Sequence, residues 1–256
     1  MNDKLFWFSG SGNSLYAAKR IGKALGDIEI APIKESFSLY GKIDTLYMVF
    51  PIYGWGPPLI IRRFIDRLPQ KYAKNAICIY TYGGDAGPVS RIIKKLLKVK
   101  DISLQASYGI KTIDNYPPFG GAPAEDVQKI KLDEEEEQLE EIIENLKDNP
   151  SGNHEDAKIY FKIVGSIIQA LFQQGLKTAD KKFHFTDKCT KCGICKKICP
   201  VDNIEIDKNG PSWLGHCEQC FACFHWCPEE AIEFGKKSKG QIRYHHPGIQ
   251  RKEFID

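Results

Sequence analysis

Cys189, Cys192, Cys195 and Cys199, the last followed by Pro200, share one spacing with Cys217, Cys220, Cys223 and Cys227, the last followed by Pro228. The two runs take up eight of the chain's nine cysteines. Three thiols two residues apart on a tight loop can reach three corners of one cubane-sized centre, and the fourth cannot, so the fourth is directed elsewhere. The copies repeat beyond their cysteines. Cys199-Pro200 leads to Ile204 as Cys227-Pro228 leads to Ile232, each isoleucine placed to cover such a centre. Disulfides and zinc compete with this reading. Disulfides need an oxidising compartment, and the opening Met1-Asn2-Asp3-Lys4-Leu5 lacks a charged segment followed by a long apolar one, so the reading expects a reducing, cytoplasmic setting. Zinc takes four ligands in two pairs, which a third cysteine at the same spacing followed by Cys-Pro does not match.

A second constellation opens the chain. The apolar segment Leu5-Phe6-Trp7-Phe8 runs into Ser9-Gly10-Ser11-Gly12-Asn13-Ser14 and then into a helical pattern through Leu15, Ala18, Ile21 and Leu25. Strand, glycine-rich turn and helix make a phosphate site, because turn N–H groups and the helix N-terminus converge on one point and the small hydroxyls complete a cradle. The loop contains no Lys or Arg, so neutral donors and the helix dipole must hold the anion. It lacks Gly-Lys-Ser/Thr, which argues against a triphosphatase. Leu15 stands where a dinucleotide fingerprint needs its third glycine, and Gly26 to Pro32 offers no convincing ribose-binding acid.

Strands are expected near 4–8, 28–31, 45–51, 76–82 and 104–113, with helices near 13–26, 57–68, 86–98 and 124–147. This alternation gives an α/β fold with a doubly wound, five-stranded parallel sheet. Ligands of such sheets bind beyond the carboxyl ends of the strands. There the chain carries Pro51-Ile52-Tyr53-Gly54-Trp55-Gly56-Pro57-Pro58 after the third strand and Thr81-Tyr82-Gly83-Gly84-Asp85-Ala86-Gly87 after the fourth. Asp114-Asn115-Tyr116-Pro117-Pro118 follows the fifth. Asp85 is also a candidate N-cap, and the last of these loops reads equally as a wall of the site or a surface turn.

The loop Ser9–Ser14 resembles the Ser/Thr-x-Ser/Thr-Gly-Asn-Ser/Thr phosphate loop of flavodoxins, which implies FMN. On that resemblance Ser9, Ser11, Gly12, Asn13 and Ser14 hold the phosphate. Pro51, Ile52, Tyr53, Gly54 and Trp55 lie against the isoalloxazine ring, with Tyr53 and Trp55 stacking or merely capping the sheet. Thr81, Tyr82, Gly83, Gly84 and Asp85 approach the ring closely, with Asn115 and Tyr116 as a further wall. The cysteine runs resemble those of bacterial two-cluster ferredoxins, which implies two 4Fe-4S clusters. There the last cysteine of each run ligates the other cluster, so Cys189, Cys192, Cys195 and Cys227 would hold one and Cys217, Cys220, Cys223 and Cys199 the second. The chain as a whole resembles flavodoxin-like proteins with a fused C-terminal two-cluster ferredoxin domain, and Phe221-Ala222-Cys223-Phe224-His225-Trp226-Cys227-Pro228 is similar to that family's second run. The expected organisation is a flavodoxin-like FMN domain over 1–150, a connecting helix within 151–182, a smaller α+β two-cluster ferredoxin domain over 183–235 and a basic tail over 236–256.

Several features are read more plainly. Cys78, in the apolar strand Ala76–Tyr80, is a core residue. His216 and His225 flank the second run and either tune its potential or fill space. The acidic run Asp133 to Glu137 is a solvated helix face. The segment Glu155 to Lys177 carries Ile159, Ile163, Ile167, Ala170 and Leu171 on one face to bury against the sheet, the ferredoxin module or a second subunit. The tail from Lys236 is a solvated end rather than a docking patch. A net charge of +3 in 256 residues gives no basic field for nucleic acid. The longest apolar stretch, Ile163 to Phe172, is broken by Gly165, Ser166 and Gln169 and falls short of the ~18 residues that span a bilayer. The implied function is electron transfer between FMN and the clusters, coupling one- and two-electron redox partner proteins such as a ferredoxin-dependent oxidoreductase. The alternative is a flavin-dependent reductase of a small organic substrate, with Tyr53, Tyr82 or Tyr116 as proton donor. No catalytic residue is assigned.

Overall fold

β3 (Ile43–Pro51) and β4 (Ala73–Tyr82) are apolar along most of their length rather than at alternate positions, which suits strands covered on both faces. In the computed structural model, which describes residues 2–34, 39, 41–155, 158–176 and 178–255 without the side chains of 159–163 and 166, both are central strands. β1 (Lys4–Trp7), β2 (Glu29–Pro32), β5 (Ser103–Lys111) and β6 (Gly152–His154) complete the sheet, in the order β2-β1-β3-β4-β5-β6 with every pairing parallel. The first five strands have the flavodoxin-like order. Side chains alternate between two cores. Phe6, Met48, Phe50, Cys78 and Tyr80 pack under α2 (Leu59–Arg67) and α3 (Val89–Val99). Leu5, Trp7, Tyr47, Val49, Ile77 and Ile79 pack under α1 (Asn13–Ala24) and α4 (Glu125–Lys147). Cys78 is fully buried, and burial pushes its thiol far above the usual range.

The sheet has six strands where five were expected. β6 comes from the Pro150–Asn153 break and adds to the edge of β5 through Ala106–Gly152, Ser107–Asn153 and Tyr108–His154. Three residues are too few to display a period of two, so the free edge of β5 decides their conformation.

α5 (Ile159–Leu176) then crosses the carboxyl end of the sheet. Beyond it, β7 (Phe183–Phe185) pairs with β10 (Ile232–Phe234) and β8 (Ile204–Ile206) with β9 (Pro211–Trp213), both antiparallel, around the one-turn helices α6 (Ile194–Lys197) and α7 (Ala222–His225). Among the described residues no helix is long and apolar enough to cross a membrane.

Three expectations are corrected. The face of α5 read as buried is open, with Ile167 at 66% and Leu171 at 62% exposure and Ala170 exposed. The side chains of Ile159 and Ile163, and Lys177, lie outside the described residues. The helix docks instead through Gly165, Gln169 and Phe172, because small and polar groups let it approach the loops closely. The acidic run is not wholly solvated: Glu135 is 1% exposed and accepts from the Thr112 hydroxyl, and Glu136 pairs with Arg20. The tail is not a solvated end either. Tyr244, His246, Ile249 and Phe254 are buried, because they cover apolar surface of α1 and of the second cysteine run.

Candidate functional site

The two cysteine runs are backbone copies of each other. Lys191 and Gln219 are both left-handed (φ 58° and 53°), as are Gly193 and Phe221 (79° and 56°) and Asp202 and Glu230 (51° and 47°). A phenylalanine tolerates the conformation favoured by glycine because Phe221 is fixed among Tyr116, Phe183, Phe224 and Phe234. The sulfur contacts repeat as well. Asn203 N–H donates to Cys199 Sγ and Ala231 N–H to Cys227 Sγ, each at 3.3 Å, and Gln219 N–H donates to Cys217 Sγ at 3.2 Å.

The fold sorts the eight thiols into two groups that cross the runs. Cys189, Cys192, Cys195 and Cys227 line one cavity, together with Ile206, Pro228 and Ile232. Cys217, Cys220 and Cys223 each lie close enough to Cys199 to feel its charge, and Ile204 belongs to the apolar cluster that holds Cys199, Cys217 and Cys223. Burial raises these thiols: Cys195 and Cys217 to about 12, Cys199 upward, and Cys220 and Cys223 far upward. Among the described residues no three His, Cys, Asp or Glu groups close on a single-ion site. His216 turns from the sulfurs and contacts the Val201 carbonyl at 2.9 Å through Nε2. His225 is buried edge-on to Phe224, and its pKa is lowered to about 3 by burial and then by Arg243.

The loop between β1 and α1 is assembled as its sequence implies. Gly12, at φ 107°, caps α1 without any side-chain cap, and its N–H donates to Ser9 Oγ at 3.0 Å. Ser14 Oγ and Thr81 Oγ1 share a hydrogen at 2.7 Å, and Asn115 Nδ2 donates to Ser11 Oγ at 2.8 Å. Thr81, near the end of β4, and Asn115, in the segment after β5, therefore contact this loop. Ser9, Ser11, Asn13 and Ser14 are all buried.

What buries them comes from the other end of the chain. Gly10 has no room for a Cβ because the Cys220 carbonyl lies there, and Trp226 Nε1–H donates to Gly10 C=O at 3.0 Å. Tyr244 OH donates to Asn13 Oδ1 at 2.8 Å, His246 N–H donates to Ser11 C=O at 2.8 Å, and the His246 ring stacks on Tyr16. His245 stacks on Trp226. Glu218, buried in the second run, pairs with Arg63 at 2.7 Å and accepts the Ile60 N–H in the first turn of α2.

The remaining loops divide. Pro51 ends β3, and Ile52 N–H donates to Thr81 C=O. Tyr53 sits edge-on to Phe8 and close enough to Cys220 and Cys217 to feel their charge. Gly54 abuts Phe172, Gly56 abuts Gln169, and Trp55 lies against Gly87 and Gly165, so this loop is covered by α5. Tyr82 packs on Gly109, Gly83 meets Asp114, and Gly84 faces open space. Asp85 does not cap α3. Its carboxylate accepts from Gly87 N–H and, across the chain, Lys158 N–H. Tyr116 turns to the second cysteine run, donating to Gln219 Oε1 and packing on Phe221. Sequence reasoning missed Trp226, Glu218, Tyr244 and His246 as parts of this site. The aromatic enrichment of the second run was the available signal.

Residues 183–205 match the family model described as 4Fe-4S binding domain, a span that holds the first run. No curated protein matches the chain. Among solved structures, similar ones include a flavoprotein in complex with FMN from Lactobacillus acidophilus, at 13% identity over 42% of this chain and 92% of that one (TM-score 0.37). Others are the two-electron reduced flavodoxin of Megasphaera elsdenii, at 18% over 42% and 84% (0.35), and the Trp repressor binding protein of Bacillus subtilis, at 16% over 59% and 99% (0.41). The fold itself rests on the strand order. A flavodoxin-like sheet is joined here to a ferredoxin-type 4Fe-4S domain.

Proposed function

We propose that this chain is an electron-transfer iron–sulfur flavoprotein holding FMN and two 4Fe-4S clusters. One observation carries the reading: the second cysteine run rests directly on the phosphate loop, through Cys220 against Gly10 and Trp226 bonded to Gly10. The crossed grouping of the thiols supports the ligand sets Cys189, Cys192, Cys195, Cys227 and Cys199, Cys217, Cys220, Cys223. Buried thiols that resist ionisation need a compensating cation, and N–H groups aimed at sulfur stabilise thiolate, both of which suit iron. The uncapped, buried N-terminus of α1 leaves its first-turn N–H groups for a phosphate, beside Ser9, Ser11 and Thr81. Gly54, Trp55 and Gly56 are taken up by α5, so Tyr53 and the Thr81–Gly84 turn are the residues available to a flavin ring. Bound there, the clusters would exchange single electrons and the flavin one or two, joining one-electron carriers to paired-electron chemistry.

Anaerobically purified protein should contain about eight iron, as many sulfides and one FMN, and Cys192→Ala and Cys220→Ala should each lose about half the iron. Asn13→Asp keeps an acceptor for Tyr244 while adding negative charge beside the phosphate, so FMN should dissociate about tenfold more readily or worse, a loss of about 1.4 kcal/mol. Colourless protein, or zinc in place of iron, would sink the proposal. Flavin binding unchanged in Asn13→Asp would remove the phosphate site from it.

A further inference from the structure

The repeat that builds the two cysteine runs has diverged in one respect, the chemistry of its surface. In register with one another stand Lys188 and His216, Lys191 and Gln219, Lys196 and Phe224, Lys197 and His225. The second run holds no Lys or Arg, and Gln219, Phe221, Phe224, His225 and Trp226 are buried against the tail, Tyr116 and the phosphate loop. All four lysines of the first run are exposed, around Cys192, which is itself exposed. Asp187 is the one acid between Thr186 and Pro200; Glu229 lines the cavity formed by Cys189, Cys192, Cys195 and Cys227, and Asp207, in the turn after β8, feels the charge of Lys191. Backbone conformation is the same in both runs, so folding alone does not require lysine at these positions.

Resting on the function proposed above, we infer that the Cys189–Cys199 run is the port through which electrons pass between molecules, and that the partner is a redox protein presenting an acidic face. Charge complementarity is the argument. A ring of lysines around a solvent-facing redox centre attracts and orients an acidic surface, brings the two centres close, and disfavours basic proteins by like-charge contact. The step is a single electron transfer. One electron would leave the reduced centre of the acidic protein and enter the iron that Cys189, Cys192, Cys195 and Cys227 would hold, with no bond made or broken and no proton moved. The inner run, whose one acid, Glu218, is buried against Arg63 and which packs on the phosphate loop, lies on the route inward.

The test uses the complete, cofactor-loaded protein and a strongly acidic small ferredoxin, with basic cytochrome c as contrast. Anaerobic stopped-flow absorbance should give an exchange rate with the reduced ferredoxin that falls about tenfold or more between low salt and several tenths molar salt. Replacing Lys188, Lys191, Lys196 and Lys197 together by Glu should slow it at least tenfold at low salt and abolish the salt dependence, while favouring cytochrome c. Lys191 Nζ donates to the Lys208 carbonyl, so the four Lys→Gln changes and a set that spares Lys191 separate charge from folding. Affinity for the ferredoxin, read by interferometry, should fall in parallel. Photoreduction by neutral deazaflavin should proceed as in the parent. Exchange and affinity indifferent to salt and to charge reversal, in protein of full iron content, would overturn this inference alone. A parent protein without iron would overturn the proposed function beneath it.

Discussion

Glu135 and His246 face each other 3.8 Å apart where the tail crosses α4, and burial pushes them in opposite directions along the pH scale. Glu135 is raised from 4.5 to about 7 by burial, opposed by the Thr112 hydroxyl. His246 is lowered from 6.5 to about 4 by burial and by neighbouring His245. Tyr244, Tyr16 and the Arg20–Glu136 pair complete the surroundings. The folded chain takes up the Glu135 proton before the unfolded chain does, so this group adds stability as pH falls from about 7 to about 4.5. The unfolded chain takes up the His246 proton first, so that group removes stability as pH falls from about 6.5 to about 4. In the parent the two slopes oppose each other. Relative to it, His246→Gln should gain stability on acidification and Glu135→Gln should lose it, each by at most about 1.4 kcal/mol per pH unit. Denaturant midpoints between pH 4.5 and 7 read both slopes, and two variants running parallel to the parent would show that the pair does not titrate this way.

At the scale of elements, α5 is held by closeness rather than by apolar area. A Cβ on Gly165 would lie 2.6 Å from Pro88 Cδ, and Gln169 donates to the Pro57 carbonyl at 3.1 Å while accepting from Arg62 at 2.6 Å. Gly175 in the same helix has open space around it. Two substitutions therefore separate docking from helix propensity. Gly175→Ala should stabilise by about 0.5–1 kcal/mol through propensity alone. Gly165→Val should cost about 1–3 kcal/mol by forcing the helix off the Trp55–Pro88 surface. Urea unfolding curves decide between them, and a gain in both variants would mean that the helix does not dock as described.

For the molecule as a whole, the decisive contact joins residues at opposite ends of the chain. Trp226, 2% exposed, donates from Nε1 to the Gly10 carbonyl and is wrapped by His245 and Phe254 of the tail. Trp226→Phe keeps most of the volume and leaves a buried carbonyl unpaired, a loss of about 1–3 kcal/mol. Because the contact spans both halves, probes of the sheet and of the cysteine domain should report the same shift in midpoint. A shift confined to the cysteine domain would show that the halves unfold independently.

Residues close in sequence declared themselves. The cysteine spacing, the Ser9–Ser14 loop, the five main strands and the four sheet helices are local patterns, set by ligand reach, by turn geometry and by the periods of helix and strand. The placement of Cys78 followed from the apolar run around it. Contacts between distant segments left no such trace. The addition of β6 and the choice of α5's buried face each depend on which surfaces meet after folding. So does the seating of Tyr244, His246 and Trp226 on a loop more than two hundred residues away. A basic tail and an acidic run look solvated in isolation because charge sets their average character, whereas burial is decided residue by residue by what packs above, as Glu135 and His246 show.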